Sequence, residues 1–164
     1  MTPSQLIWVA WDHPDAVALR EQMIAEVSAL YVADRGSSGS ANHRDGHLAL
    51  DPATIVATGL IYDGDTPVAH VALRRLGDDL EIKRMFVVPG TRGLGVSRNL
   101  LDGVEQKVRE AGARRVILHT GTHQHAAIAL YMAHGFTEIP IYPPYVGLPD
   151  SLCFEKLFVD DRPG

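Results

Sequence analysis

The chain has 164 residues, 46% of them hydrophobic and 21% charged, and its 20 acidic side chains against 15 lysines and arginines give a formal net charge of −5. That length fits one domain, and no apolar run reaches the roughly 18 residues of a bilayer-spanning helix. The acidic balance argues against a protein that coats nucleic acid but allows a local basic pocket. A single cysteine, Cys153, cannot form an internal disulfide, and the first five residues lack the charged-then-apolar plan of a secretory signal, so a cytoplasmic protein is expected.

Residues 6–11 form a short β-prone run, and Asp12-His13-Pro14-Asp15 reads as a helix start, with Asp12 as cap and Pro14 in the first turn. Apolar Val17, Leu19, Ile24, Val27, Leu30 and Tyr31, with Arg20, Glu21 and Glu26 between them, predict one amphipathic helix over 17–32. Residues 35–47 form a polar loop carrying His43 and His47, either a solvated connection or a functional one. Strands are expected over 55–62, 67–75 and 80–88, joined by the turn signals Asp63-Gly64-Asp65 and Gly77-Asp78-Asp79 as a meander of antiparallel hairpins. Leu94, Ser97, Leu100, Leu101, Val104, Val108 and Ala111 then recur at helical spacing, with Gly112 placed for a left-handed C-terminal cap. A strand over 115–120, a helix over 126–134 stopped by Gly135, and a strand over 152–158 complete the chain, with a polar tail over 159–164.

Between the third hairpin strand and the long helix lies Val87-Val88-Pro89-Gly90-Thr91-Arg92-Gly93-Leu94-Gly95-Val96-Ser97. A glycine-rich turn entering a helix can aim successive backbone N–H groups at one anion, in the favourable field of the helix dipole. Gly93 and Gly95 keep side chains away from such a guest and Arg92 offers a charged donor, although a purely structural turn is also compatible with the spacing. There is no Gly-Lys-Ser/Thr of a Walker loop, and antiparallel strands before the turn do not suit a dinucleotide fingerprint.

Arg92-x-x-Gly95-x-Ser97, preceded by Glu81-Ile82-Lys83-Arg84-Met85-Phe86-Val87-Val88-Pro89, resembles the acetyl-CoA signature of the GNAT superfamily of N-acetyltransferases. Ala126-x-x-Ala129-Leu130-Tyr131-x-x-x-Gly135-Phe136 resembles that family's second signature helix and the strand it enters. The family usually has Gly or Ala where this chain has Ser97, whose hydroxyl either crowds a phosphate or donates to it. The resemblance implies an α/β (α+β) fold: a mixed, mostly antiparallel sheet flanked by helices and splayed between strands four and five, as a single domain over 1–164 with its core at about 6–158. It further implies acetyl-CoA as co-substrate, with backbone groups of Phe86, Val87 and Val88 pairing with the pantetheine arm. The N–H groups of Arg92, Gly93, Leu94, Gly95, Val96 and Ser97 would hold the pyrophosphate, and Gln124 would line the cleft.

Acetyl transfer needs a neutral amine, an oxyanion stabiliser and a proton for the leaving thiolate. By resemblance Glu81 takes the place of the general base and Tyr131 that of the acid near the sulfur, with the Val87 N–H as oxyanion donor. The plain alternatives are a strand-edge carboxylate and a packed ring. Arg84, placed by strand alternation on the face opposite Lys83, would favour an acceptor carboxylate if it enters the cleft, and is otherwise a surface cation. Tyr142 and Tyr145, in a proline-stiffened segment, either wall the acceptor pocket or pack in the core. His119, His123 and His125 have ligand-compatible spacing with no residue to complete a set, so no metal is expected, and Cys153 reads as a buried small hydrophobe. The expectation is direct acetyl transfer to a small-molecule amine, preferably amino-acid-like, without a nucleic-acid or membrane partner and with a homodimer left open. The rival reading is a non-catalytic CoA or acyl-CoA sensor.

Overall fold

The alternating segments around the two Gly/Asp turns fold as three consecutive antiparallel strands in the computed structural model, which describes residues 5–35, 50–93 and 95–158. In chain order the elements are β1 (Ile7–Val9), α1 (Pro14–Arg35), β2 (Ile55–Asp63), β3 (Thr66–Leu76), β4 (Asp79–Val87), α2 (Val96–Glu110), β5 (Arg115–Gly121), α3 (His125–Ala133), β6 (Thr137–Ile139) and β7 (Ser151–Leu157). Among the described residues one sheet contains every strand, in the order β1-β2-β3-β4-β5-β7-β6. All its neighbours are antiparallel except β4 and β5. Among the described residues no helix is long and apolar enough to cross a membrane. The loop at 36–49, with His43 and His47, and the tail at 159–164 lie outside the described residues, as does Leu94.

α1 begins earlier than its periodicity predicts, and its cap is one residue on from Asp12. The His13 carbonyl accepts from Val17 N at 3.0 Å, and His13 Nδ1 accepts from Asp15 N at 3.1 Å. An imidazole nitrogen therefore does the work expected of the Asp12 carboxylate, while Pro14 takes the first helical position, where no N–H is needed. α2 ends as predicted: Gly112 has φ 70°, and Ala113 N reaches back to the Val108 carbonyl at 3.2 Å.

The core has two sides. Leu100, Leu101, Val104 and Val108 of α2 pack on Ile61, Val71, Leu73, Leu80, Ile82, Val116 and Leu118, together with Tyr131, Phe136 and Phe154. On the other face of the sheet Ala16, Leu19, Met23 and Val27 of α1 cover Leu60 and Phe86. Each fully buried aliphatic side chain contributes about 2 kcal/mol.

Two irregularities of β4 create the site. His70 pairs with Phe86 and Ala72 with Lys83, so two steps on β3 face three on β4, and the extra residue is Arg84 with φ 55°. This bulge resets the alternation, because Ile82 and Val87 face the α2 side while Phe86 faces α1. The second irregularity is the short pairing of β4 with β5, limited to Leu80–Val116, Glu81–Ile117 and Ile82–Leu118. Beyond Ile82 no ladder joins them, and the expected splay lies there.

Candidate active site

The edge that β4 turns toward β5 lies beyond the last ladder pair. Val88 N donates to the Val68 carbonyl at 2.9 Å, so Val87 is the non-hydrogen-bonded partner of Ala69 and directs its own N–H and C=O away from β3. The Val87 carbonyl accepts from Arg92 Nε at 2.8 Å. Phe86 is buried against α1 and, as the ladder partner of His70, turns its backbone toward β3, so the expected backbone contact of Phe86 with a ligand is not formed by this register.

A single 3₁₀ turn, Pro89–Thr91, leads to Gly93 with φ 84° and Gly95 with φ 83°, and Gly95 caps α2. A β-carbon at either glycine would meet nothing within 4 Å, so what these positions require is the left-handed backbone rather than space. Val96 is buried in the core and offers only its backbone, while Ser97 is half-buried. The first N–H groups of α2 have no partners within the helix. Arg92 is turned away from them: Nη2 pairs with Glu26 of α1 at 2.5 Å and the guanidinium lies 5.7 Å from the Phe86 ring. What the turn could offer an anion is therefore backbone N–H groups, since the Arg92 side chain braces α1 against β4.

Tyr131 of α3 is buried, with its hydroxyl 3.6 Å from Met85 Sδ on β4 and its ring edge-on to Phe136. Burial pushes its phenol well above the usual tyrosine range, so it stays protonated and available as a donor. Gln124 stands just before α3, with its N–H on the Gly121 carbonyl at 3.1 Å.

On the α1 side of the sheet the structure gathers a charged cluster. Glu81 is fully buried, and Arg74 Nε donates to its Oε1 at 2.6 Å while the Tyr142 hydroxyl donates to its Oε2 at 2.6 Å. Tyr145, buried too, accepts from Lys83 Nζ at 2.7 Å and from Arg74 Nη2 at 3.1 Å, and its ring stacks on His119 at 3.9 Å. Burial lowers Lys83 to about 8 against the pull of Glu81, and lowers Arg84 to about 10. Lys83 and Arg84 are not on opposite faces as simple alternation predicts. Arg84 interacts electrostatically with Tyr145, Arg20 and Arg74, because the bulge keeps it on the α1 face with Lys83. Arg84 is 7% exposed, which removes the surface-cation reading.

The bulge has its own support. His70, fully buried, meets the Arg84 carbonyl through Nδ1 at 2.8 Å and Arg20 Nη1 through Nε2 at 3.0 Å. Arg20 also donates to the Trp11 carbonyl at 2.6 Å and stacks on the Trp11 ring at 3.5 Å.

Arg74 and His70 are the residues that sequence reasoning missed. Arg74 was reachable by counting outward from the hairpin turn, where Leu76 faces Asp79 and Arg74 therefore faces Glu81. His119, His123 and His125 do not converge: His119 Nε2 meets Ser151 Oγ at 2.8 Å, His123 faces Asp150 at 4.0 Å, and His125 is exposed. Among the described residues only Asp102, Glu105 and His134 bring ligand atoms together, and the Lys156 ammonium already sits on Glu105. Cys153 is buried, and burial raises its thiol, as expected of a small hydrophobe.

A parallel strand pair that parts beside an outward-facing amide edge, with a glycine turn and helix N-terminus next to it, gives this α/β fold an open cleft in its sheet. The sequence model of the acetyltransferase (GNAT) family matches residues 20–136, and the chain belongs to that family. An IAA acetyltransferase of Azospirillum brasilense is 41% identical over 86 residues, covering 52% of this chain and 56% of that protein. The chain thus matches about half the length of this curated relative. Among solved structures, a Klebsiella pneumoniae protein assigned as an acyl-CoA N-acyltransferase superposes with TM-score 0.75 at 27% identity, over 94% of this chain and 97% of the other. The PaiA N-acetyltransferase of Thermoplasma acidophilum, solved with coenzyme A, shares the fold with TM-score 0.65 at 12% identity, over 94% and 99% of the two chains.

Proposed function

We propose that this chain transfers the acetyl group of acetyl-CoA to the amine of a small molecule, amino-acid-like by preference, through direct attack of the amine on the thioester. The observation that carries this reading is the Val87 amide edge, turned toward β5 beyond their last ladder pair and followed by the glycine turn into α2. An acyl-pantetheine arm laid along that edge takes the place of a strand, paired with the backbone of Val87, because the expected partners Phe86 and Val88 turn their N–H groups toward β3. The pyrophosphate meets the N–H groups of Gly93, Gly95, Val96 and Ser97, the Arg92 N–H being held by the Pro89 carbonyl, and Gln124 borders the far wall. The Val87 N–H stabilises the oxyanion, Tyr131 protonates the departing thiolate and Glu81 receives the amine's proton.

Within this reading Arg84, buried on the α1 face with Lys83, is the side chain suited to a bidentate pair with an acceptor carboxylate. Tyr142 and Tyr145 wall that side. The reading places the protein in the cytoplasm, where acetyl-CoA is available, and a homodimer is compatible with it.

The test is to mix the purified chain with acetyl-CoA and a panel of amines and amino acids while following free thiol. Amine-dependent thiol release is expected. Tight CoA binding with no release for any amine would make the protein a sensor instead.

A further inference from the structure

Both oxygens of Glu81 are committed, Oε1 to Arg74 and Oε2 to Tyr142. Each oxygen keeps a lone pair, but the carboxylate is fully buried, so an amine reaches it only past a partner that shields it. Arg74 is pinned, since the Tyr145 hydroxyl that holds it is also held by Lys83 and the ring is clamped on His119. Tyr142 is the partner on the outer side, half-buried where Arg74 and Tyr145 are buried. A phenol has one proton, and Tyr142 gives its proton to Glu81. Toward any ligand its oxygen can therefore offer only lone pairs, which suit an N–H donor and repel another acceptor.

We infer that Tyr142 is a catalytic residue, the group that touches the acceptor ammonium and passes its proton to Glu81. This rests on the acetyltransferase reading above. An N–H bond of the ammonium breaks with its electron pair staying on nitrogen, and the proton bonds to Tyr142 Oη. The phenol's own proton moves to Glu81 Oε2 in the same event. Tyr142 ends as the neutral phenol it began as, Glu81 becomes a carboxylic acid that later releases the proton to solvent, and the amine is neutral and nucleophilic. Burial and the neighbouring carboxylate hold the Tyr142 phenol far above its ordinary range, so exchange through a phenol that never rests as phenolate is the available route. Arg74 keeps the receiving carboxylate oriented.

The test is the pH dependence of thiol release by Tyr142→Phe, Glu81→Gln and the double variant. For Tyr142→Phe, kcat/KM for the amine is expected to fall about a hundredfold near neutral pH. The deficit should shrink as pH approaches the amine's own pKa, with KM for acetyl-CoA unchanged. Glu81→Gln should show the same pH-dependent deficit, and the double variant should be no worse than either single, because all three cut one route. A deficit equal at every pH, or losses that add, would overturn the relay and leave Tyr142 a packing residue. Stabilisation by acetyl-CoA in a thermal melt checks that each variant is folded, and if Tyr142→Phe is not, Tyr142→His, which keeps a donor for Glu81 and an acceptor for the amine, is measured instead: turnover near neutral pH is expected, and its loss would overturn the relay. A wild-type chain that releases no thiol with any amine overturns the acetyltransferase reading and the relay together, whereas wild-type turnover with a pH-flat deficit overturns only the relay.

Discussion

His70 links the first helix to the strand that carries the proposed cofactor edge. Arginine can only donate, so the Nε2 that faces Arg20 is unprotonated and the ring's proton is on Nδ1, donated to the Arg84 carbonyl. Burial pushes the ring down to about 4 despite that hydrogen bond, and the neighbouring Arg20 and Arg84 charges add to the lowering. The folded chain thus keeps His70 neutral while the unfolded chain takes up a proton near pH 6.5, so stability falls as pH drops through that window toward 4. Between pH 7 and pH 5 the loss from this residue is about 2 kcal/mol. Urea midpoints at the two values should show it, and His70→Gln should be destabilised at pH 7 yet change less between them; an equal slope would remove the assignment. For Tyr131→Phe, kcat should drop at least tenfold while KM for acetyl-CoA stays within about twofold, as stopped-thiol kinetics would show. Unchanged kcat would remove its acid role.

Among the elements, Gly95 and Arg115 carry the clearest expectations. A β-carbon at Gly95 meets open space, so Gly95→Ala is expected to cost only the left-handed backbone, about 1 kcal/mol, with weaker acetyl-CoA binding measurable by calorimetry. Arg115, at the paired end of β5, holds both oxygens of Asp79 at 3.0 and 2.9 Å and reaches Glu155 of β7 at 2.7 Å. Arg115→Ala should lower stability by about 1 kcal/mol, the scale of a half-exposed bidentate network, and a thermal melt checks it. Most elements could be read from their periods, because Leu100, Leu101, Val104 and Val108 repeat at helical spacing and the Gly/Asp turns mark the hairpins. The bulge could not be read: one inserted residue leaves the composition of β4 unchanged yet moves Arg84 to the face of Lys83. The Glu81–Tyr142 contact was equally out of reach, since it joins positions 61 residues apart through a loop with no periodicity. Asp12 against His13 shows a smaller limit, because two adjacent residues able to cap are separated only by the path of the chain.

At the scale of the whole molecule, the seven-stranded sheet is continuous only through three residue pairs between β4 and β5, with Arg115 riveting their closed end. On one side of this seam stand β1 to β4, which carry the charged cluster, and on the other β5, β7 and β6. A ligand held by the native state at a hundredfold excess over its Kd stabilises it by about 3 kcal/mol, and acetyl-CoA should raise the Tm accordingly. The rise should be accompanied by slower amide exchange on both sides of the seam, at Val87 and along the far end of β5, a correlated protection that a ligand bound elsewhere would not give. On the acetyltransferase reading proposed above, the co-substrate completes the sheet in mechanical terms, its thioester arm bridging two halves that are otherwise joined through three residue pairs and Arg115.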